Sequence, residues 1–168
     1  MVGIDFDNLD GSKGYRETRA YSQSKLANVV FAYELQRRLS ATGEAMRSVA
    51  CHPGWAATNM GDDDHQRPRD RLLRLLTLRL APTASQGARP VIFAATSPEV
   101  RGGDYVGPSG PFGVSGSPAS VRSSNRSYDE DLARRLWDVS EEMTGVHYTF
   151  VAGRTRPAAV GARQRREG

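Results

Sequence analysis

The sequence predicts an α/β fold, and three observations carry that expectation. Residues 18–40 repeat apolar side chains at the helical period. A short, mostly apolar run over 46–51 stands between Gly43 and the turn His52-Pro53-Gly54, the pattern of a buried strand closed by a tight turn. A second strand candidate, Gly103-Asp104-Tyr105-Val106-Gly107, follows a further helical stretch.

The elements follow in order. Residues 3–20 are rich in Gly and charge without a period, so they read as a surface loop. In the helix that starts near residue 18, Leu26, Val29, Val30, Tyr33 and Leu39 form the apolar side. Glu34, Gln36, Arg37 and Arg38 are expected on its wet face, and Thr42-Gly43 ends it. After the strand comes an acidic loop, then residues 69–81, where six leucines stand among arginines. Pro82-Thr83 leads into a helical stretch over 84–95 that Ser97-Pro98 stops. Residues 107–120 are rich in Gly, Pro and Ser and long for a connection, which predicts a mobile, functional loop. A final amphipathic helix is expected over 128–144. Asp129, Glu130 and Asp131 suit its positive dipole end, Leu132, Leu136, Trp137 and Val139 form its apolar side, and Gly145 is its stop. Residues 147–168 are rich in Arg, Ala and Gly with little to bury, and read as a disordered tail. There are no internal repeats.

At 168 residues the chain fits one domain that needs no disulfide or metal staple. Hydrophobic residues at 38% and charged residues at 25% exclude the membrane and fully disordered extremes. The net charge of +4 is concentrated at one end, where Arg154, Arg156, Arg163, Arg165 and Arg166 fall in the tail. A nucleic-acid partner is disfavoured, because no aromatic residues interleave with that charge. The lone cysteine, Cys51, excludes an intramolecular disulfide and points to a reducing compartment, the cytoplasm. The first residues carry no basic lead or apolar h-region, and no later apolar run reaches spanning length.

The chemistry is concentrated at the start of the first helix. Tyr21 and Lys25 are four residues apart, so one helical face carries both the phenol and the ammonium. A nearby positive charge favours phenolate over phenol, which brings a tyrosine toward the range where it exchanges protons efficiently. Tyr21 is therefore the candidate acid/base and Lys25 its tuner. A Tyr-x-x-x-Lys pair alone is a weak signal. Here it is followed by Leu26-Ala27-Asn28, one helix, one strand and then Cys51-His52-Pro53-Gly54-Trp55-Ala56-Ala57-Thr58.

In that order these motifs resemble the short-chain dehydrogenase/reductase family, and within it the retinol-dehydrogenase-like subgroup. Gln86-Gly87-Ala88, Gly103-Asp104-Tyr105-Val106-Gly107-Pro108 and Leu132-Ala133-Arg134-Arg135-Leu136-Trp137 extend the resemblance over residues 3–146. The fold it implies for residues 1–146 is the C-terminal portion of a doubly wound, Rossmann-type parallel sheet. The activity it implies is hydride transfer between NAD or NADP and an alcohol or a ketone/aldehyde, with a small apolar substrate. Tyr21 and Lys25 would be catalytic, and Lys25 would also hold the nicotinamide ribose hydroxyls, beside Tyr21. Pro53 and Gly54 would let backbone approach the nicotinamide, with Trp55 in the same turn, and Thr58 would meet its carboxamide or the pyrophosphate.

The departures are equally specific. The glycine fingerprint that grips the pyrophosphate is missing; Gly107, Gly110 and Gly113 are spaced by threes and precede no predicted helix. The family's catalytic serine lies shortly before the tyrosine, and Ser12, Ser22 and Ser24 do not replace it. The N-terminal half of the family's domain is thus expected to be absent, giving a truncated unit with exposed sheet edges and helix faces. Such a unit would fold poorly alone or lean on a partner, a homo-oligomer being one form. The alternative function is then a non-catalytic interaction protein.

Four further features bear on function. Cys51 and His52 are consecutive on a strand and point to opposite faces, which argues for a buried structural cysteine and against a nucleophile–base pair. Asp62-Asp63-Asp64-His65 lacks the spacing of a metal loop, so no metal is assigned. The arginine/leucine stretch reads as a lid over the active-site mouth, with peripheral membrane contact as the second reading. Asn125-Arg126-Ser127 is a formal glycosylation acceptor that means nothing without export.

Overall fold

The computed structural model of the protein describes residues 3–54 and 83–150. The arginine/leucine stretch, the acidic run with His65, Trp55, Thr58 and most of the expected tail lie outside the described residues.

Helix α1 (Glu17–Ala41) begins within one residue of the expected position. It has Glu17 in its first turn and Arg38 in its last, so both charges suit the helix dipole. It stops where the Thr42 hydroxyl donates to the carbonyl oxygens of Arg38 and Leu39, at 3.2 and 3.1 Å. Gly43 then takes a φ of 71°. Val30, Tyr33 and Leu39 are buried as the periodicity requires. Glu34, expected on the wet face, is buried too. Its carboxylate accepts from Arg37 Nε and Arg38 Nε, both at 2.8 Å, so the charge enters the interior already paired.

The partner of α1 is α3 (Glu130–Thr144). Asp129 caps α3 by accepting from the Leu132 amide at 3.0 Å, and Gly145 closes it with a φ of 67°. Val30, Ala133 and Leu136 form a cluster, against which Ile4, Phe6, Leu26, Ala27, Phe31 and Leu132 pack. Trp137 stacks on Phe31 at 5.0 Å and carries the Arg38 guanidinium over its ring at 4.3 Å. Beyond Gly145, Tyr148 and Phe150 lean on the same indole at 5.7 and 5.8 Å. The first residues expected in the tail therefore pack against α3.

Three strands make one sheet in the order β1 (Ala50–Cys51), β2 (Tyr105–Pro108), β3 (Pro118–Ser120). β1 and β2 are parallel, with Ala50 opposite Tyr105 and Cys51 opposite Val106. β2 and β3 are antiparallel, with Val106 opposite Ser120. The expected strand over 46–51 pairs for only two residues. Its earlier part is tied elsewhere: the Ser48 amide donates to Gln36 Oε1 at 2.8 Å, and Arg47 donates to the Val100 carbonyl at 2.7 Å. The loop expected over 107–120 is instead a hairpin. The Ser109 amide donates to the Ser117 carbonyl and the Gly110 amide to the Ser115 carbonyl, both at 2.9 Å, around the tight turn Pro111–Gly113. Pro108 and Pro118 face each other at its mouth, where neither could donate to the ladder.

Between β1 and β2 lies α2 (Ala84–Thr96), which packs on all three strands. A capping box opens it: the Gln86 amide donates to Thr83 Oγ1, and the Thr83 amide donates to Gln86 Oε1. With α1 leading into β1 and α2 connecting β1 to the parallel β2, the chain is the α/β portion of a doubly wound sheet that was expected. No helix among the described residues is long and apolar enough to cross a membrane.

Candidate active site

Tyr21 and Lys25 stand on the exposed side of α1's first turns, and Lys25 Nζ lies 5.2 Å from the centre of the Tyr21 ring. The helix periodicity accounts for this, since residues four apart stack along one face. Tyr21 is 53% exposed, so its hydroxyl is open to a reacting molecule. The neighbouring residues hold the loop before the helix. Gln23 Oε1 accepts from the Asp5 amide at 2.9 Å, and Arg19 pairs with the Asp5 carboxylate at 2.8 Å.

Lys25 also lines a groove of about 360 Å³ between α1 and the segment that joins β3 to α3. Ser22, Leu26 and Val29 form its helix wall, facing Tyr105, Ser124 and Arg126. A second groove of similar volume lies between α1 and the loop before it, but neither Tyr21 nor Lys25 lines it, so it is set apart from the chemistry. The wall opposite Lys25 is fixed from behind by a chain of hydroxyls. Tyr33 Oη and Ser123 Oγ are 2.7 Å apart, Ser123 Oγ and Ser127 Oγ 2.6 Å apart, and Ser127 Oγ donates to the Ser124 carbonyl at 2.6 Å. Burial pushes the Tyr33 phenol up to about 12. Hydrogen bonding with Ser123 holds the stacked Tyr128 phenol below its ordinary value. None of this wall was read from the sequence. Its only trace was a run dense in serine over 120–127, which is also the composition of an ordinary turn.

The His52-Pro53-Gly54 turn follows β1 directly. Gly54 has a φ of 75°, and a Cβ there would come within 2.6 Å of the Val114 carbonyl oxygen and 2.8 Å of Pro108 Cγ. Glycine is thus required for both conformation and space. Pro53 and Gly54 do not line the Lys25 groove; the two regions are joined through Tyr105, which lines the groove and stacks on the His52 ring at 5.0 Å. Trp55 and Thr58 lie outside the described residues.

Cys51 is exposed rather than buried, because β1 pairs on one side only among the described residues. Residual desolvation still pushes its thiol up, which makes it a poor nucleophile. The neighbouring imidazole does not serve it: His52 Nδ1 accepts from the Gly54 amide at 3.2 Å. Among the described residues no group of three or more His, Cys, Asp or Glu side chains could hold a metal.

No family model matches the chain. It is 36% identical over 149 residues to retinol dehydrogenase 14 of Homo sapiens, a match that covers 85% of this chain and 40% of that protein. It is 35% identical over 149 residues to polyprenol dehydrogenase of Homo sapiens, covering 87% of this chain and 42% of that protein. Short-chain dehydrogenase TIC 32 B, chloroplastic, of Brassica napus is 31% identical over 141 residues, 82% of this chain and 40% of that protein. Among solved structures, an uncharacterized protein from Mycobacterium Paratuberculosis matches with a TM-score of 0.68 and 36% identity, over 88% of this chain and 47% of that one. The chain therefore spans about two fifths of the length of these curated relatives.

Proposed function

We propose that this chain, a relative of the retinol-dehydrogenase-like short-chain dehydrogenases/reductases, is the proton-transfer half of an NAD(P)-dependent oxidoreductase acting on an apolar alcohol or its carbonyl. The observation that carries the reading is the pair on α1, with Lys25 Nζ 5.2 Å from the ring of an exposed Tyr21. Tyr21 gives a proton to the substrate oxygen in the reducing direction and takes it in the other. Lys25 opposes the negative charge that is left on the phenol oxygen.

Among the described residues expected at the cofactor, Lys25 lines the groove and fits the ribose end, while Tyr21, Pro53 and Gly54 lie outside it. The groove of about 360 Å³ is open beside an ammonium and several serine hydroxyls, which suits a ribose diol next to a flat ring. Lys25 would hold the ribose hydroxyls, and the Gly54 turn would approach the nicotinamide. Among the described residues no glycine-rich turn opens a helix to take the pyrophosphate, so the grip on the rest of the dinucleotide must come from elsewhere. When bound, NAD(P) supplies or accepts the hydride.

Titration with NADH, followed by fluorescence, tests the reading on this chain and on a longer polypeptide that carries it. Tyr21→Phe is expected to lower turnover of an apolar primary alcohol by about 10²–10⁴-fold while leaving NADH affinity unchanged. Lys25→Ala is expected to weaken NADH binding as well. Full turnover in Tyr21→Phe would sink the proposal.

The second reading, a non-catalytic interaction protein, is favoured by two observations: the outer edge of β1 is unpaired among the described residues, and Cys51 is exposed on it. An association constant for a partner or a second copy that is unchanged by Tyr21→Phe, together with no NADH binding, would select it.

A further inference from the structure

We propose that His52 is a positioning residue: its neutral imidazole accepts the Gly54 amide through Nδ1 and so holds the turn at the end of β1 in its left-handed conformation. That this turn faces a nicotinamide rests on the oxidoreductase reading above; the hold itself does not.

Three observations converge on the ring. Because the Gly54 amide donates to Nδ1 at 3.2 Å, Nδ1 carries no proton, and a neutral ring has its hydrogen on Nε2. The ring is clamped flat on Tyr105, with centres 5.0 Å apart and planes 20° apart. The opposing backbone leaves room for it: a Cβ at Gly107 would collide with His52 Nε2, and one at Gly113 would lie 3.4 Å from Cε1. A side chain boxed in by one aromatic ring and two glycines has little rotamer freedom, so its acceptor is aimed at a single amide.

Protonation would convert Nδ1 from acceptor to donor and release that amide. Burial holds the imidazole below its ordinary value, so the hold is present above that lowered value and is lost as pH falls through it. Among the described residues, the titratable group that faces the ring is Tyr105 from β2, while the adjacent Cys51 points to the opposite face; burial pushes both up, so both are neutral in that range. The Pro111–Gly113 turn brings no ionisable side chain.

The experiment is amide hydrogen exchange at Gly54, read by NMR in the wild-type chain, His52→Asn, His52→Gln and His52→Phe, with NADH affinity measured in parallel. Asn places an acceptor near the position of Nδ1, Gln places one farther out, and Phe keeps the stack on Tyr105 without an acceptor. Gly54 protection is expected to survive in His52→Asn and to fall by about tenfold or more in His52→Gln and His52→Phe. In the wild type the protection should disappear on acidification, and in His52→Asn it should not. Equal protection in all four proteins, or an acid response that persists in His52→Asn, overturns the proposal. If the protection pattern holds and a longer polypeptide that carries this chain does not bind NADH, the hold on the turn stands and it is the oxidoreductase reading that falls.

Discussion

At Gly54 the chain adopts a φ of 75° in a space already filled by Val114 and Pro108. Gly54→Ala is expected to lower stability by roughly 1–3 kcal/mol, measured by urea denaturation, since it combines backbone strain with a steric conflict. Tyr33 offers a test in the alkaline range. Its phenol, ordinarily at 10.0, is pushed up to about 12 in the folded chain, so it is neutral in both states below 10 and favours the unfolded chain as pH rises from 10 to about 12. Urea midpoints should fall across that window and fall less in Tyr33→Phe. Tyr128 is shifted the other way, so its gain accrues below 10 as pH rises through its lowered value, and Tyr128→Phe should remove that gain without changing the slope above 10. Of these residues the sequence announced Gly54 through its Pro-Gly turn, and it placed Tyr33 on the apolar face. It could not announce the Tyr33–Ser123 bond, which joins positions 90 apart in the chain.

Among the elements, the helices were the most legible, because each carries both a period and its own ends. α3 stops at Gly145 as the sequence predicts, and Asp129, expected inside its first turn, is its cap. The strands were least legible. β3 consists of Pro118, Ala119 and Ser120, with no β-branched or aromatic residue to mark it, and it exists only through pairing with β2. Glu34 was misplaced for a related reason: a carboxylate at that position reads as solvent-facing until two arginines one turn later are seen to fold over it. The joint between α1 and α3 depends on that arrangement and on the Trp137 stack. Trp137→Ala is expected to cost about 3–5 kcal/mol and Arg38→Ala, whose guanidinium is partly exposed, about 1–2 kcal/mol, both read as shifts in the urea midpoint.

For the whole molecule, α1 connects the two halves of the candidate site, presenting Tyr21 and Lys25 on its outer face while Tyr33 secures the groove wall farther along. The pair was legible because four-residue spacing on a helix is a local property; the wall opposite was not, because it is assembled by tertiary contact. The unpaired edge of β1 among the described residues predicts a response to concentration: sedimentation at micromolar chain should show association if a second copy covers that edge, and a proline placed at Cys51, whose amide points away from β2, should abolish it. The His52 ring has a consequence of another kind. Since a side chain at position 107 would enter the space of that imidazole, the two positions form a single unit of inheritance. In a selection from random libraries, anything larger than glycine at 107 should survive only in company with a smaller residue at 52.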